Sequence, residues 1–208
     1  MKTLTRHLAR LALIVALPLA LAACGVNTIP TQEEAAKAQW AEVQNQYQRR
    51  ADLIPNLVAT VKGYAAQEAN VLIAVTEARA SATQVRSDAG ITTDPAAFQR
   101  YATAQNNLSL ALAPLRVLQE AYPDLKSNEN FLALQSQLEG TENRVAIARR
   151  DYNEAVRVYN TTLRTFPQII WAKTFHGGSK PMQLFEATAT AQSAPTVDFG
   201  APGSPPPK

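Results

Sequence analysis

The 208-residue chain has one cysteine, two histidines and only 8 glycines, and each shortage excludes a chemistry. A lone Cys24 leaves no intrachain disulfide, no cysteine-rich zinc site and no CxxC redox pair. His7 precedes an apolar N-terminal run, so any nucleophilic triad or metal site would depend on His176 alone. Between residues 31 and 175 the only glycines are Gly63, Gly90 and Gly140, none within a phosphate-cradling GxGxxG or GxxxxGK[ST] string. A surplus of positive charge is missing as well. Lys2, Arg6 and Arg10 account for the formal +3, leaving 17 basic against 17 acidic side chains from Cys24 onward. Nucleic-acid binding needs the opposite balance, because affinity for the phosphate backbone comes from neutralising it. The sequence therefore predicts no nucleic-acid partner, no metal and no cofactor.

What is present begins with a targeting signal. A basic stretch to Arg10 is followed by the uncharged run Leu11 to Ala23 and then Leu21-Ala22-Ala23-Cys24-Gly25. This is the order of a secretory leader. Thirteen helical residues rise about 20 Å, short of the roughly 30 Å of a hydrocarbon core, and Pro18 interrupts them. LAAC resembles a bacterial lipobox, in which the cysteine thiol takes diacylglycerol and the peptide is cut before it. Residues 1–23 are thus expected to be a signal peptide and Cys24 the lipidation site, with the lipid its only attached group. Residues 24–31 are expected to form a tether. Gly25 in place of aspartate points, by analogy with lipoprotein sorting, to the outer membrane facing the periplasm in a two-membrane bacterium.

Beyond the leader, apolar residues recur at three- and four-residue spacing and no stretch alternates with period two, predicting an all-α fold. Pro55 should break a helix, since it lacks an amide hydrogen and clashes with the preceding turn. The expected helices are therefore about 32–51, 55–87, 95–121 and 127–165, in an antiparallel up-down four-helix bundle. The competing arrangement is one long kinked helix over 32–87. Asp94-Pro95 and Ser127 or Asn128 are the expected N-terminal caps. Ile169-Ile170-Trp171 suggests a short helical turn closing a domain over 32–186. Residues 187–208 are too poor in large apolar groups to repay ordering entropy, and are expected to be a disordered tail.

Two groups of polar residues do not fit a plain bundle. At about 100° per residue, with Val145 at the centre of its stripe, Arg149 lies about 40° away, Glu142 and Asn160 about 60°, and Asn153 about 80°. Glu68 and Arg79 fall similarly close to the stripe centred on Leu72. An inter-helix layer of Glu68, Arg79, Glu142, Arg149, Asn153 and Asn160 is expected, chiefly as a structural register device. A hydrolase site built on Glu68 and Glu142 is the alternative. The second group comprises Arg49, Arg50, Asp52 and Asn56 with Glu120, Tyr122, Asp124, Lys126 and Asn130. If the chain turns at Pro55, these meet at one end of the bundle, either as a binding surface or simply as helix caps. His176 reads as a solvated loop histidine. Trp40, Tyr47, Tyr152 and Tyr159 read as core and edge aromatics.

Several strings are specific to a known family. Trp40 to Val58 (WAEVQNQYQRRADLIPNLV), Val61 to Glu68 (VKGYAAQE), Glu77 to Ala80 (EARA), Glu120 to Phe131 (EAYPDLKSNENF) and Leu138 to Val156 (LEGTENRVAIARRDYNEAV) resemble the LemA family. The resemblance covers about residues 35–170 in order. It implies a membrane-associated helical bundle of bacteria and brings no catalytic residues. Many relatives resemble proteins with an N-terminal transmembrane anchor where this chain has the lipobox. The close of the chain also differs, with Phe175-His176-Gly177-Gly178 before Phe185-Glu186. The function expected is a lipid-anchored envelope protein whose bundle is an interaction or scaffolding module for a protein partner. Direct action on the membrane, shaping or sensing it, is a further alternative.

Overall fold

The computed structural model describes residues 25–85 and 89–186. The leader, Cys24 and the tail over 187–208 lie outside the described residues, as does the far end of the helix expected to reach residue 87. Among the described residues the fold is all-helical, with no strand. Four long helices, α1 (Thr28–Tyr64), α2 (Ala69–Gln84), α3 (Pro95–Ala121) and α5 (Glu129–Thr162), are joined by short links. A 3-10 turn (Ala89–Thr93) precedes α3, one helical turn, α4 (Pro123–Lys126), precedes α5, and α6 (Gln168–Thr174) follows it.

The caps of α3 and α5 form where the sequence placed them. The Asp94 carboxylate accepts from the amides of Ala96 and Ala97, with Pro95 in the first turn, and Asn128 Oδ1 accepts from the amide of Phe131 at 2.9 Å. The first half of the chain differs from both sequence expectations. Helix α1 continues without a break through Pro55 and ends at Tyr64, and the break falls over residues 65–68. Proline at position 55 leaves the carbonyl of Ala51 without its helical donor, and the side chain of Arg79 replaces it, with Nε donating at 2.8 Å. Ile54 and Leu57, buried beside the proline, hold that turn of helix in the core. At the lower end α1 starts earlier than expected: residues 28–31 form its first turn, with Ile29 fully buried, so they do not belong to a tether.

Long-range contacts fix the directions. α1 packs along α5, and α2 packs on α3 and α1. Trp40 meets Phe98 and Tyr152, Arg50 meets Gln105 and Glu142, and Tyr64 meets Asn128, so successive long helices run antiparallel. The core has two parts. Near the N-terminal end, Trp40, Tyr47, Phe98, Tyr101, Tyr152 and Phe185 form a ring cluster with centroids 4.8 to 6.3 Å apart. Toward the far end, Ile54, Leu57, Val61, Leu108, Leu112 and Phe131 form an aliphatic core. After α6 the chain runs as an extended strap over residues 180–186, lying back along α5 toward its N-terminus. Asn160 exchanges two hydrogen bonds with the backbone of Met182, and Asn153 two with that of Phe185.

Candidate functional site

Between the two cores lies a polar seam built on Arg50, whose side chain is 1% exposed. It occupies the buried stripe of α1, three residues after Tyr47 and four before Ile54. One terminal nitrogen donates to Ser109 Oγ at 2.7 Å and to Glu142 Oε1 at 2.9 Å; the other donates to the backbone carbonyl and side-chain oxygen of Gln105. The guanidinium also lies over the Tyr47 ring, 5.0 Å from its centroid. Gln105 passes its own amide on to the carbonyl of Ala82, so the seam ties α1, α2, α3 and α5 together. The partners of the two terminal nitrogens are what make the buried cation tolerable, although Nε is buried without a hydrogen-bond partner among the described residues. The field of Arg149 and Arg50 pulls the Tyr47 hydroxyl toward ionisation, but burial outweighs it and holds the pKa above the usual tyrosine value.

Beside this seam a groove of about 260 Å³ opens between α3 and α5. Leu57, Leu112, Leu115, Phe131 and Leu138 line its apolar part, and Ser109 and Glu142 stand at its polar wall. Those two are also partners of Arg50, so the groove touches the seam directly.

The expected Glu/Arg layer is not formed as drawn. Glu142 pairs with Arg50 rather than with Arg79 or Arg149. Arg79 serves Ala51, Arg149 lies 4.5 Å over the ring of Phe185, and Asn153 and Asn160 hold the strap. Glu68 accepts from the Tyr122 hydroxyl at the far end of the bundle, and this hydrogen bond raises the pKa of Tyr122. Glu68 lies near the level of Asn128 and Glu142 fourteen residues down α5, about 21 Å away along the axis. A hydrolase site pairing the two carboxylates is therefore ruled out by the geometry. The cause of the misplacement is the position of the break. With the turn at 65–68, everything before Pro55 moves down the bundle by about 15 Å relative to the turn expected there.

The same shift divides the second group. Arg49, Asp52 and Asn56 lie exposed along the middle of α1 and Arg50 is buried, while Glu120, Asp124, Lys126 and Asn130 remain exposed at the far end with half-buried Tyr122. The residues that meet Tyr122 and Asn128 there are Glu68 and Tyr64. Gln105 and Ser109 were not singled out by sequence reasoning. The usable signal was a glutamine in the apolar stripe between Tyr101 and Leu108, facing an arginine in the stripe of α1. His176 is half-buried rather than solvated, with Nε2 2.9 Å from the carbonyl of Val26. Trp40, Tyr47, Tyr152 and Tyr159 are core residues. Among the described residues no three His, Cys, Asp or Glu side chains converge as a metal site, and no helix is long and apolar enough to cross a membrane.

The model of the LemA family matches residues 39–199, which includes the seam, the groove and the strap. The chain is 26% identical over 157 residues to Magnetosome protein MamQ 2 of Paramagnetospirillum magneticum, covering 68% of this chain and 58% of that protein. It is 24% identical, over the same shares, to Magnetosome protein MamQ of Magnetospirillum gryphiswaldense. The chain thus spans less than two thirds of the length of these curated relatives.

Proposed function

Because this chain belongs to the LemA family, we propose that it is a lipid-anchored helical spacer of the bacterial envelope, which presents its far end to a protein partner. The observation that carries this reading is the relation of Cys24 to α1. The lipobox cysteine stands four residues before Thr28, and α1 then extends 37 residues, about 55 Å, away from it. Two or more acyl chains on Cys24 would hold the molecule stably on a membrane, and the sorting analogy favours the outer membrane facing the periplasm. Likeness to proteins named for the magnetosome is compatible with this reading.

At the far end Glu120, Asp124, Lys126 and Asn130 are exposed on and around a turn, where binding residues concentrate. The scaffolding role requires no cofactor beyond the lipid, no metal and no nucleic acid. Its test is crosslinking of the full-length protein in its native envelope beside Cys24→Ser and Asp124→Lys. Wild type should fractionate with membranes and crosslink a defined protein. Cys24→Ser should become removable from the membrane fraction by a high-salt wash that wild type resists, and Asp124→Lys should lose the partner while keeping its helical spectrum. A partner retained in full by folded Asp124→Lys removes the far end from the mechanism.

A further inference from the structure

We propose that the end of the bundle beside Cys24 is itself a membrane-contacting face, in which Phe166, Ile170 and Phe175 enter the interface of an anionic phospholipid surface and Arg164, Lys173 and Lys180 face its head groups. The orientation, though not the chemistry of the face, rests on the lipid-anchor reading. Phe166 is 79% exposed, Phe175 71% and Ile170 48%, whereas Ile29 and Met182 at the same end are buried. Trp171 adjoins the pair, its ring 5.5 Å from that of Phe175.

This surface is tied to the start of the chain. His176 bonds the carbonyl of Val26, and Ser179 reaches Glu33. Three residues separate Cys24 from the first helical residue, Thr28, so the four Cα–Cα steps span at most about 14 Å. The turn over residues 25–27, closed by the Thr28 amide on the Gly25 carbonyl, shortens it further. A lipid on Cys24 would therefore hold exposed aromatic rings at the height of the head groups, where aromatic side chains are favoured.

Charge supports the same partner. From Ala155 to Phe185 the sequence has Arg157, Arg164, Lys173 and Lys180 and no acidic residue. Glu154 takes Arg157, and no salt bridge among the described residues takes the other three. The opposite end has Glu68, Glu120, Asp124 and Glu129 against Lys62 and Lys126. The start of α1 adds Glu33 and Glu34, both paired with Lys37, so the anchored end keeps a modest positive excess, on its α6 side among the aromatic residues, while the free end is acidic. Apolar side chains rimmed by Lys and Arg are the composition that binds anionic interfaces.

Trp171 supplies the test. Full-length protein is incorporated into vesicles of phosphatidylethanolamine and phosphatidylglycerol with brominated acyl chains, and tryptophan emission is compared with Trp171→Phe. Quenching in wild type that disappears in Trp171→Phe supports the face. Unlipidated Cys24→Ser should still bind these vesicles, and adding Lys173→Glu with Lys180→Glu should weaken that binding about tenfold or more. Phe166→Ser with Phe175→Ser, both at exposed positions, should weaken it with the helical spectrum unchanged. If the lipidated protein sediments with vesicles but Trp171 is unquenched, the face is overturned and the anchor stands. If wild type has no lipid, the anchor fails and the Cys24→Ser vesicles decide: quenching of Trp171 supports the face, and its absence overturns it.

Discussion

Arg50 is surrounded by oxygens from two other helices and by the Tyr47 ring, so the cost of removing it falls on what it leaves behind. Arg50→Ala strips Gln105 of its partner inside the core and leaves Glu142 to turn toward the groove. A loss of about 3–5 kcal/mol is expected in urea unfolding followed by far-UV circular dichroism. Glu142→Gln keeps an oxygen in reach of the guanidinium and should cost less than about 1.5 kcal/mol. Equal losses in the two variants would mean that the charge of Glu142, rather than the burial of Arg50, governs the seam. The seam was only half legible in the sequence. Angular projection flagged Glu142 as near the core, but a projection gives an angle and no height, and height selects the partner.

At the scale of the element, α1 and the strap depend on side chains from elsewhere. The Arg79 side chain supplies the donor that Pro55 cannot, so the two positions should be energetically coupled. Arg79→Ala should cost about 1–3 kcal/mol in the natural background. In Pro55→Ala, where the amide of residue 55 can reach Ala51, the same change should cost less, and a double-mutant cycle measures the difference. Strict additivity would disconnect them. The strap hangs on two asparagines, each exchanging two hydrogen bonds with its backbone. Asn153→Ala or Asn160→Ala should raise amide exchange over residues 180–186 at least about tenfold while leaving α1 protected. Helices α3 and α5 were placed from the sequence within two or three residues because their starts are local: Asp94-Pro95 and Asn128 supply the free first-turn amides with acceptors. The end of α1 was not, since Ala65, Ala66, Gln67 and Glu68 are all good helix formers. The chain turns there because the far end closes, with Ala65 and Leu125 buried and Tyr122 bonded to Glu68.

For the whole molecule the ring cluster sets an alkaline limit. Burial raises the pKa of Tyr47, Tyr101 and Tyr152 above the ordinary tyrosine value. In the unfolded chain they would ionise near pH 10, so the unfolded state holds fewer protons above that pH and stability falls. The contribution of these tyrosines is intact below about pH 10 and is lost as pH rises from there through the folded-state values. The slope is about 1.4 kcal/mol per pH unit for each tyrosine that ionises only on unfolding. Tyrosinate absorbance from the buried rings should appear together with the loss of helical circular dichroism; absorbance that rises fully before the helix signal falls would show that the cluster is open to hydroxide.

By itself the sequence determined the all-helical class, the caps of α3 and α5, the aromatic stripes and the family, because each is carried by residue type at short range or by an ordered string. The tertiary structure alone decided where α1 ends, that it passes through Pro55, and that Arg50 rather than Arg79 or Arg149 receives Glu142. Those outcomes depend on heights along packed helices, and height is set by the sum of all the contacts between them rather than by any local preference.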